Sequence, residues 1–330
     1  MIERIGTFFN GQTNPYRNLA MEEYLTRTVE KGTCILYLWQ NQNTVVIGRN
    51  QNAWKECRTG ALEESGGFFA RRLSGGGAVY HDLGNLNFTF SVCQEDYDLR
   101  KQQRVILEAC RLLGIQAELS GRNDLLANGG KFSGNSFYSH DGKAFHNGTL
   151  LLDVDLSHME RFLSPSKAKI VSKGVDSVRA RVVNLKSLCP ELTTEMMCQA
   201  MNQAFEQVYG LTAEVLDEAD FDQAALEAGY ERFSSYDWKY GQSMPFDFSA
   251  TEKFPWGEIT LQWCVQEGKC QQAAVYTDAL NPDFAQPLAQ QLEGCPFTQQ
   301  ALCDAIGAVD ACKADGVAQD LCALIREKSI

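Results

Sequence analysis

The chain has 330 residues, enough for a large core and a smaller second domain. Its formal net charge of −12 argues against a nucleic-acid-binding protein, because affinity for phosphate backbones comes from clustered Lys and Arg; a single nucleotide needs only a few local donors. No apolar stretch approaches the roughly 20 residues that span a bilayer, and the start lacks the pattern of a signal peptide. We therefore expect a cytoplasmic protein.

Cysteine is frequent in this sequence, but its spacing does not indicate a metal site. The 12 cysteines are scattered from Cys34 to Cys322, never as C-x-x-C, and only four histidines accompany them. A chain of this length does not need disulfides, and buried thiols behave as small apolar residues. We expect reduced thiols in the core and no zinc.

Hydrophobic periodicity predicts helices and strands in mixed order. Apolar residues at helical spacing predict helices at 18–31, 99–113 and 195–209, each followed by a glycine. Strands are predicted at 34–39 and 44–48, joined by a polar turn, and at 124–127, 131–138 and 143–153, which form a meander. Local hairpins mixed with helices indicate an α+β fold with mixed sheets rather than a strictly alternating doubly wound sheet.

The character of the chain changes after Tyr236. Residues 237–255 are rich in aromatic residues, Gly and Pro with little periodicity, and this predicts a connector. Residues 258–265 then alternate as a strand, and helical segments follow. We predict a catalytic domain at 1–246 and a small C-terminal α/β accessory domain at 247–330.

A glycine-rich loop is the most informative segment. Gly75, Gly76 and Gly77 let the backbone approach a ligand, and Arg71 and Arg72 supply donors suited to phosphate or carboxylate. The loop matches neither G-x-x-x-x-G-K-[ST] nor G-x-G-x-x-G, which argues against a P-loop ATPase or a dehydrogenase. Taken alone, it also fits a surface turn with two solvated arginines.

Two further positions carry potential chemistry. Lys131 opens a strand directly after a tight turn, and small polar residues follow it. A lysine in such a place is commonly a hydrated charge on a hairpin. His146 begins a polar stretch in the last strand of the meander, and by itself it fits a structural histidine better than a catalytic one.

Together, these segments resemble one family. The blocks are RRLSGGGAVYHDLGN at 71–85, GRNDL at 121–125, KFSG at 131–134 and HNGTLL at 146–151; TVVIGR at 44–49, KGVDSVRARV at 173–182 and FPWG at 254–257 extend the likeness over nearly the whole chain. They resemble the signature of the lipoate–protein ligase A family. Several separated blocks in the expected order are more specific than any single block.

The resemblance implies a biotin/lipoate ligase-like catalytic domain and a two-step reaction. Lipoate and ATP would give lipoyl-AMP and pyrophosphate with Mg²⁺, and the lipoyl group would then pass to a lysine of an acceptor domain. The implied acceptors are the acyltransferase subunits of 2-oxoacid dehydrogenases and the H protein of glycine cleavage. We expect no tightly bound prosthetic group, no nucleic-acid or membrane partner, and a monomer.

The resemblance also assigns roles to residues. Lys131 would be catalytic, lying between the lipoyl carbonyl and the α-phosphate, and Asp124 would contact Mg²⁺ through the phosphates. Residues implied to bind ATP are Arg72, Gly77, Ala78, Val79, Tyr80, Asn123, Asp124 and Lys131. Residues implied to bind lipoate are Trp39, Arg71, Ser74, Gly75, Gly76, His81, Lys131 and His146. A mobile loop at about 173–181 would cover the adenylate, and Tyr80 stands where phenylalanine is more usual.

Two alternatives remain open at this point. An octanoyl- or lipoyl-transferase of the same superfamily would use a cysteine nucleophile and no ATP, yet no cysteine lies near Lys131 or His146 in the sequence. A non-catalytic carrier-domain-binding protein would be expected to lack Lys131 or the glycine loop, and both are present. A biotin ligase is a further relative, but its Gly-Arg-Gly-Arg loop is absent.

Overall fold

The computed structural model describes residues 1–121, 124–163, 182–241 and 244–328, in which strands and helices follow each other in mixed order. The strands are β1 (Arg4–Asn10), β2 (Thr33–Trp39), β3 (Thr44–Ile47), β4 (Phe68–Arg71), β5 (Val79–His81), β6 (Asn85–Cys93), β7 (Ala117–Ser120), β8 (Asp124–Ala127), β9 (Gly130–His140), β10 (Lys143–Leu151), β11 (Ala213–Val215), β12 (Phe248–Phe254), β13 (Gly257–Gln266) and β14 (Lys269–Thr277). The helices are α1 (Pro15–Thr28), α2 (Ala53–Glu56), α3 (Thr59–Glu64), α4 (Leu99–Leu112), α5 (Leu156–Phe162), α6 (Thr194–Tyr209), α7 (Gln223–Ser234), α8 (Tyr236–Tyr240), α9 (Ala285–Leu292), α10 (Gln299–Ala308) and α11 (Val317–Glu327).

The chain divides into two units, and each draws on several stretches of sequence. The first unit comprises Met1–Val46, Cys57–Ala70 and Val79–Ser235. The second comprises Ile47–Glu56, Arg71–Ala78 and Tyr236–Ile330. The second unit therefore contains the C-terminal part of the chain together with most of the glycine loop.

A mixed eight-stranded sheet organises the first unit. Its order is β11-β1-β2-β6-β10-β9-β8-β7. β1 runs parallel to β2 and β11, and the pairs from β2 onward are antiparallel. This arrangement confirms the predicted α+β class with mixed sheets.

The central strand β6 explains how the sheet is covered. Its side chains alternate, as a strand requires. One face carries Leu86, Phe88, Phe90 and Val92, which join the buried core with residues of α4 and α6. The opposite face carries Asn85, Asn87, Thr89 and Ser91, which are also buried. Helix α1 lies over this polar face, where Thr26 is hydrogen-bonded to Ser91 at 2.8 Å.

A separate three-stranded sheet, in the order β4-β3-β5, contains the candidate residues Tyr80 and His81. β3 and β5 are antiparallel, with Val45 opposite Tyr80 and Thr44 opposite His81. β2 and β3, which are neighbours in sequence, lie in different sheets. The turn between them therefore carries the chain from the large sheet to the small one.

The second unit has its own core. β12, β13 and β14 form an antiparallel sheet in that order. Apolar side chains of this sheet, including the fully buried Trp263, pack with those of α9, α10 and α11. The predicted strand at 258–265 is confirmed as part of β13, with Ile259 and Leu261 in this core.

Two expectations need correction. Residues 237–255 are not a plain connector, because α8 and β12 lie within them; aromatic residues there pack locally, as in the stacking of Trp54 on Tyr240. The first helix begins at Pro15 rather than near Asn18, since the Asn14 side chain accepts the amide protons of Tyr16 and Arg17 as an N-cap.

Three other expectations stay predictions: the domain boundary at 246/247, the monomeric state and the cytoplasmic location. Among the described residues, no helix is both long and apolar enough to cross a membrane.

Candidate active site

Lys131 lies near the start of β9 and forms an ion pair with Asp124 of the adjacent strand. Its Nζ is 2.6 Å from Oδ1 of Asp124 in β8, and the two side chains are 34% and 38% exposed. A Cβ built on Gly134 would lie 3.2 Å from this Nζ, so the glycine leaves the space that the ammonium occupies. The pair is thus held in place and still open to a ligand.

A β-bulge aims the Lys131 side chain. Leu125 pairs with Ser133 and Leu126 with Lys131, so Phe132 is the extra residue on β9. Phe132 is fully buried in the core of the first unit. The bulge anchors the strand by one side chain and leaves the neighbouring lysine free to lie over Gly134.

A hydrogen-bonded row crosses the polar face of the large sheet. Trp39 Nε1 donates to Thr89 Oγ1 at 3.2 Å, and Thr89 donates to Glu22 Oε1 at 2.7 Å. From the other side, Ser136 donates to Asn147 Oδ1 at 2.5 Å, and Asn147 Nδ2 donates to the same Glu22 oxygen at 2.8 Å. Donors thus converge on one buried carboxylate, which orients the indole of Trp39.

The row and Lys131 share a face of the sheet. Side chains two residues apart on a strand point to the same side. Ser136 belongs to the row, and Gly134 lies two residues before it on β9. A Cβ on Gly134 would therefore point to the same face as the Ser136 side chain, and the ammonium of Lys131 lies on that face. The sequence motifs did not single out Glu22 or Thr89; polar residues at every second position of β6 were the available signal for this row.

His81 lies next to Trp39, as the predicted lipoate site requires. The two rings are in edge contact, with centroids 6.4 Å apart. His81 Nδ1 is 3.2 Å from Asn41 Nδ2, and Asn41 Oδ1 accepts from Asn18 of α1 at 2.9 Å. The turn after β2 and the start of α1 therefore set the orientation of this histidine.

Tyr80 uses the hydroxyl that distinguishes it from phenylalanine. The hydroxyl donates to Asn43 Oδ1 at 3.1 Å or to His158 Nδ1 at 3.2 Å, since one proton serves both neighbours. Burial raises the pKa of Tyr80 to about 12, so it stays protonated. The extra oxygen is accommodated locally, and the predicted ATP contact stays a prediction.

His146 does not join Trp39 and Lys131. It is adjacent to Asn147 on β10, so its side chain points to the opposite face of the sheet, where the rings of Phe88, Phe90 and Phe137 surround it. Its Nε2 lies 2.7 Å from Asn135 Oδ1, and burial lowers the pKa of His146 to about 3. A neutral histidine in the aromatic core fits a structural role.

The two arginines of the glycine loop both bind backbone oxygens within the second unit. Arg71 is 1% exposed and donates to carbonyls at 48–51 and 238–239. Arg72 donates to the carbonyl oxygens of Gly75 and Gly77 at 2.6 and 2.9 Å. Its guanidinium therefore spans the loop in which the predicted phosphate contacts lie.

Close backbone approaches explain Gly75 of the loop and Gly48, which packs against the loop. A Cβ on Gly75 would lie 2.2 Å from the carbonyl oxygen of Ala279, and Gly76 N–H donates to that same oxygen at 3.0 Å. A Cβ on Gly48 would lie 2.2 Å from the carbonyl oxygen of Gly76. Gly76 itself has a φ of 90°, which favours glycine. The glycines are thus needed for packing inside the second unit, whatever ligand the loop binds.

The remaining predicted residues are only partly placed. Ser74 is buried, and its carbonyl oxygen accepts from Arg49 N–H at 3.0 Å, whereas Gly77, Ala78 and Val79 are half-buried. Asn123 and the loop at 173–181 lie outside the described residues. Asp124 is not part of a larger group of three His, Cys, Asp or Glu side chains in the described ranges.

Burial makes several of the cysteines poor nucleophiles. All 12 thiols are free. Burial raises the pKa values of Cys57 and Cys110 to about 12, and that of Cys198 to about 12. A reactive cysteine needs a lowered pKa, whereas every pKa shift resolved for a cysteine in the described part of the chain is upward.

Comparison with known families adds to this geometry. The profile described as "Lipoyl protein ligase A/B catalytic domain" matches residues 14–206. The chain belongs to the lipoyl protein ligase A/B family. A second profile, "Bacterial lipoate protein ligase C-terminus", matches residues 243–324. The resemblance to lipoate–protein ligases is therefore confirmed. It extends to the C-terminal part of the chain.

Solved structures share the ligase fold. P. falciparum LipL1, crystallised in complex with lipoate, is 26% identical with a TM-score of 0.86, and the match covers 98% of this chain and 99% of that chain. A bi-partite lipoate protein ligase from Thermoplasma acidophilum is 24% identical with a TM-score of 0.64, covering 74% and 98%. A lipoate-protein ligase A bound with ATP is 24% identical with a TM-score of 0.62, covering 73% and 99%.

Proposed function

We propose that the protein is an ATP-dependent lipoate–protein ligase, which activates lipoate to lipoyl-AMP and transfers the lipoyl group to a lysine of an acceptor domain. The observation that carries the proposal is the Lys131 ammonium, aimed by a bulge over Gly134 on the same face as Trp39. Such a placed cation suits the joining of two anions. Similarity to ligases solved with lipoate and with ATP supports both substrates.

The first step joins a carboxylate to the α-phosphate of ATP. An oxygen of lipoate forms a bond to the α-phosphorus, the bond to the bridging oxygen breaks, and pyrophosphate leaves. Two anions repel each other on approach, so a fixed positive charge lowers the barrier. Lys131 supplies that charge, and its pairing with Asp124 at 2.6 Å holds the ammonium in place before substrates arrive.

Asp124 also fits the expected use of Mg²⁺. Carboxylate oxygens suit this hard cation, which commonly binds proteins through one or two carboxylates plus substrate phosphates. The Asp124 side chain is more than one-third exposed and lies next to Lys131. Mg²⁺ bound with ATP would offset the charge of the departing pyrophosphate.

The second step transfers the lipoyl group. The ε-amine of the acceptor lysine attacks the acyl carbonyl of lipoyl-AMP, an amide forms, the acyl–phosphate bond breaks, and AMP and a proton leave. We propose the acyltransferase subunits of 2-oxoacid dehydrogenases and the glycine cleavage H protein as acceptors. The T. acidophilum ligase, which is described together with its E2 lipoyl domain, supports acceptors of this class.

The lipoyl chain is proposed to lie against Trp39 and His81. Trp39 is a large, buried aromatic side chain, and its indole is fixed through Thr89 and Glu22. His146, which the resemblance also assigned to lipoate, points into the aromatic core on the other face. We therefore assign it no lipoate contact.

An end-point assay tests the proposal. Purified protein with ATP, Mg²⁺, lipoate and an apo acceptor domain should add one lipoyl group to one lysine, detected by mass spectrometry, and omission of ATP should abolish the reaction. ATP-independent transfer from an acyl carrier protein would instead establish a thioester mechanism and refute the proposal.

A further inference from the structure

Arg71 is a buried cation bound to backbone oxygens. Its Nε and both Nη atoms donate to carbonyl oxygens of Gly48 (3.3 Å), Arg49 (2.8 Å), Gln51 (2.7 Å), Trp238 (3.0 Å) and Lys239 (2.8 and 3.3 Å). In the described part of the chain, no carboxylate pairs with it. Burial lowers the pKa of Arg71 to about 10, so the side chain remains charged near neutral pH.

These bonds join three segments of the second unit. They connect the turn at 48–51, the C-terminal part of α8 and the start of the glycine loop. The connection is reciprocal, because Trp238 Nε1 donates to the carbonyl oxygen of Arg71 at 2.8 Å. Two backbone bonds run beside it, from Arg72 N–H to Ile47 and from Arg49 N–H to Ser74, each 3.0 Å long.

We propose that Arg71 is a positioning residue for the ATP step: it fixes the base of the glycine loop so that Arg72 and the half-buried Gly77 and Ala78 meet the polyphosphate. The inference rests on the proposed function and assigns Arg71 a different role from the lipoate contact implied by the family motif. A carboxylate contact would require the guanidinium to break its hydrogen bonds to the carbonyl oxygens of Arg49, Gln51 and Lys239.

The residue type matters for this task. The carbonyl oxygens approach from two sides, and the planar guanidinium offers five N–H groups in a fixed fork. A lysine carries the same charge but places three donors on one atom, so it cannot bridge 48–51 and 238–239 together. Arg71→Lys therefore keeps the positive charge and removes the hydrogen bonds that position the loop, so the two contributions can be distinguished.

Steady-state kinetics of lipoate-dependent ATP–pyrophosphate exchange test the inference. Arg71→Lys should raise KM for ATP by about tenfold or more and leave KM for lipoate within about twofold. Arg17→Lys, at an exposed arginine paired with Glu227, is the matched control and should change neither value. A folded Arg71→Lys protein with unchanged KM for ATP, or with only KM for lipoate raised, would overturn the inference.

A second variant keeps the test decisive if Arg71→Lys does not fold. Trp238→Phe retains the aromatic ring and Arg71 but removes the donor to the Arg71 carbonyl. It should raise KM for ATP by about threefold with KM for lipoate unchanged, and an unchanged KM for ATP would refute the coupling. Wild-type protein without any exchange would refute the proposed function itself, which is a distinguishable result.

Discussion

At the scale of single residues, the position of Lys131 follows from its immediate neighbours. The buried Phe132 fixes the strand, Gly134 leaves room for the ammonium, and Asp124 pairs with it. Sequence alone could not distinguish this lysine from a hydrated hairpin charge, because the bulge depends on how β8 and β9 pair. The family resemblance indicated a catalytic role for Lys131. The register between β8 and β9 shows how its ammonium can be held in position for that role.

Replacement of Lys131 should remove adenylation without unfolding the protein. Lys131→Ala is expected to lower the rate of lipoate-dependent ATP–pyrophosphate exchange by about 10²–10³-fold, the loss typical when a preorganised charge is removed. Lys186→Ala, which removes another half-exposed lysine paired with an aspartate, is the matched control. Exchange at the wild-type rate in the Lys131 variant would exclude the lysine from the chemistry.

His146 should affect stability rather than catalysis. Its pKa is lowered from 6.5 to about 3, so below pH 6.5 the unfolded chain binds a proton that the folded chain does not. Its stabilising contribution is present above pH 6.5 and is lost progressively as the pH falls toward 3. Between pH 7.5 and 5.5 the loss should be on the order of 1 kcal/mol.

Thermal or urea unfolding across that range measures the effect. His146→Gln should show a pH dependence that is flatter than that of the wild type, whereas His140→Gln, at an exposed histidine, should follow the wild type. Parallel curves for the wild type and His146→Gln would show that the histidine is not held neutral.

At the scale of elements, sequence patterns located the long helices and the meander well. The predicted helices at 99–113 and 195–209 differ from α4 and α6 by one residue at an end, because their apolar stripes pack on the sheet. The prediction of a connector at 237–255 was wrong because short elements such as α8 are stabilised by packing and show little hydrophobic periodicity of their own. The order of the strands in the sheets cannot be predicted from local hydrophobic patterns, because it depends on contacts between distant segments.

The polar row across β2, β6 and β10 is an element-scale feature with a functional consequence. Thr89→Val keeps the shape of the side chain but breaks the link from Trp39 to Glu22. We expect KM for lipoate to rise by about threefold to tenfold, with KM for ATP unchanged.

Thr26→Val provides the control for this prediction. It removes an equally buried hydroxyl, which is hydrogen-bonded to Ser91 and the Glu22 backbone and does not contact Trp39. Equal effects of the two variants on KM for lipoate would show that the row stabilises the fold without orienting the indole.

At the scale of the whole molecule, the glycine loop belongs with the C-terminal residues. Gly75 and Gly76 approach the backbone of Ala279, more than 200 positions later in the sequence, and Arg71 binds the carbonyl oxygens of 238–239. The motif predicted a ligand loop, but a sequence motif does not contain its long-range partners. The residues of the loop could therefore be found from the sequence, but their contacts with Ala279 and with residues 238–239 could not.

Adenylation of lipoate by ATP is the step on which the proposed function depends. Its most direct test follows radiolabelled pyrophosphate into ATP with wild-type protein and Mg²⁺, with and without lipoate, in the absence of any acceptor. Lipoyl-AMP formation is reversible, so the label should enter ATP only when lipoate is present. An active preparation that lipoylates an acceptor but shows no lipoate-dependent exchange would contradict adenylation by this protein.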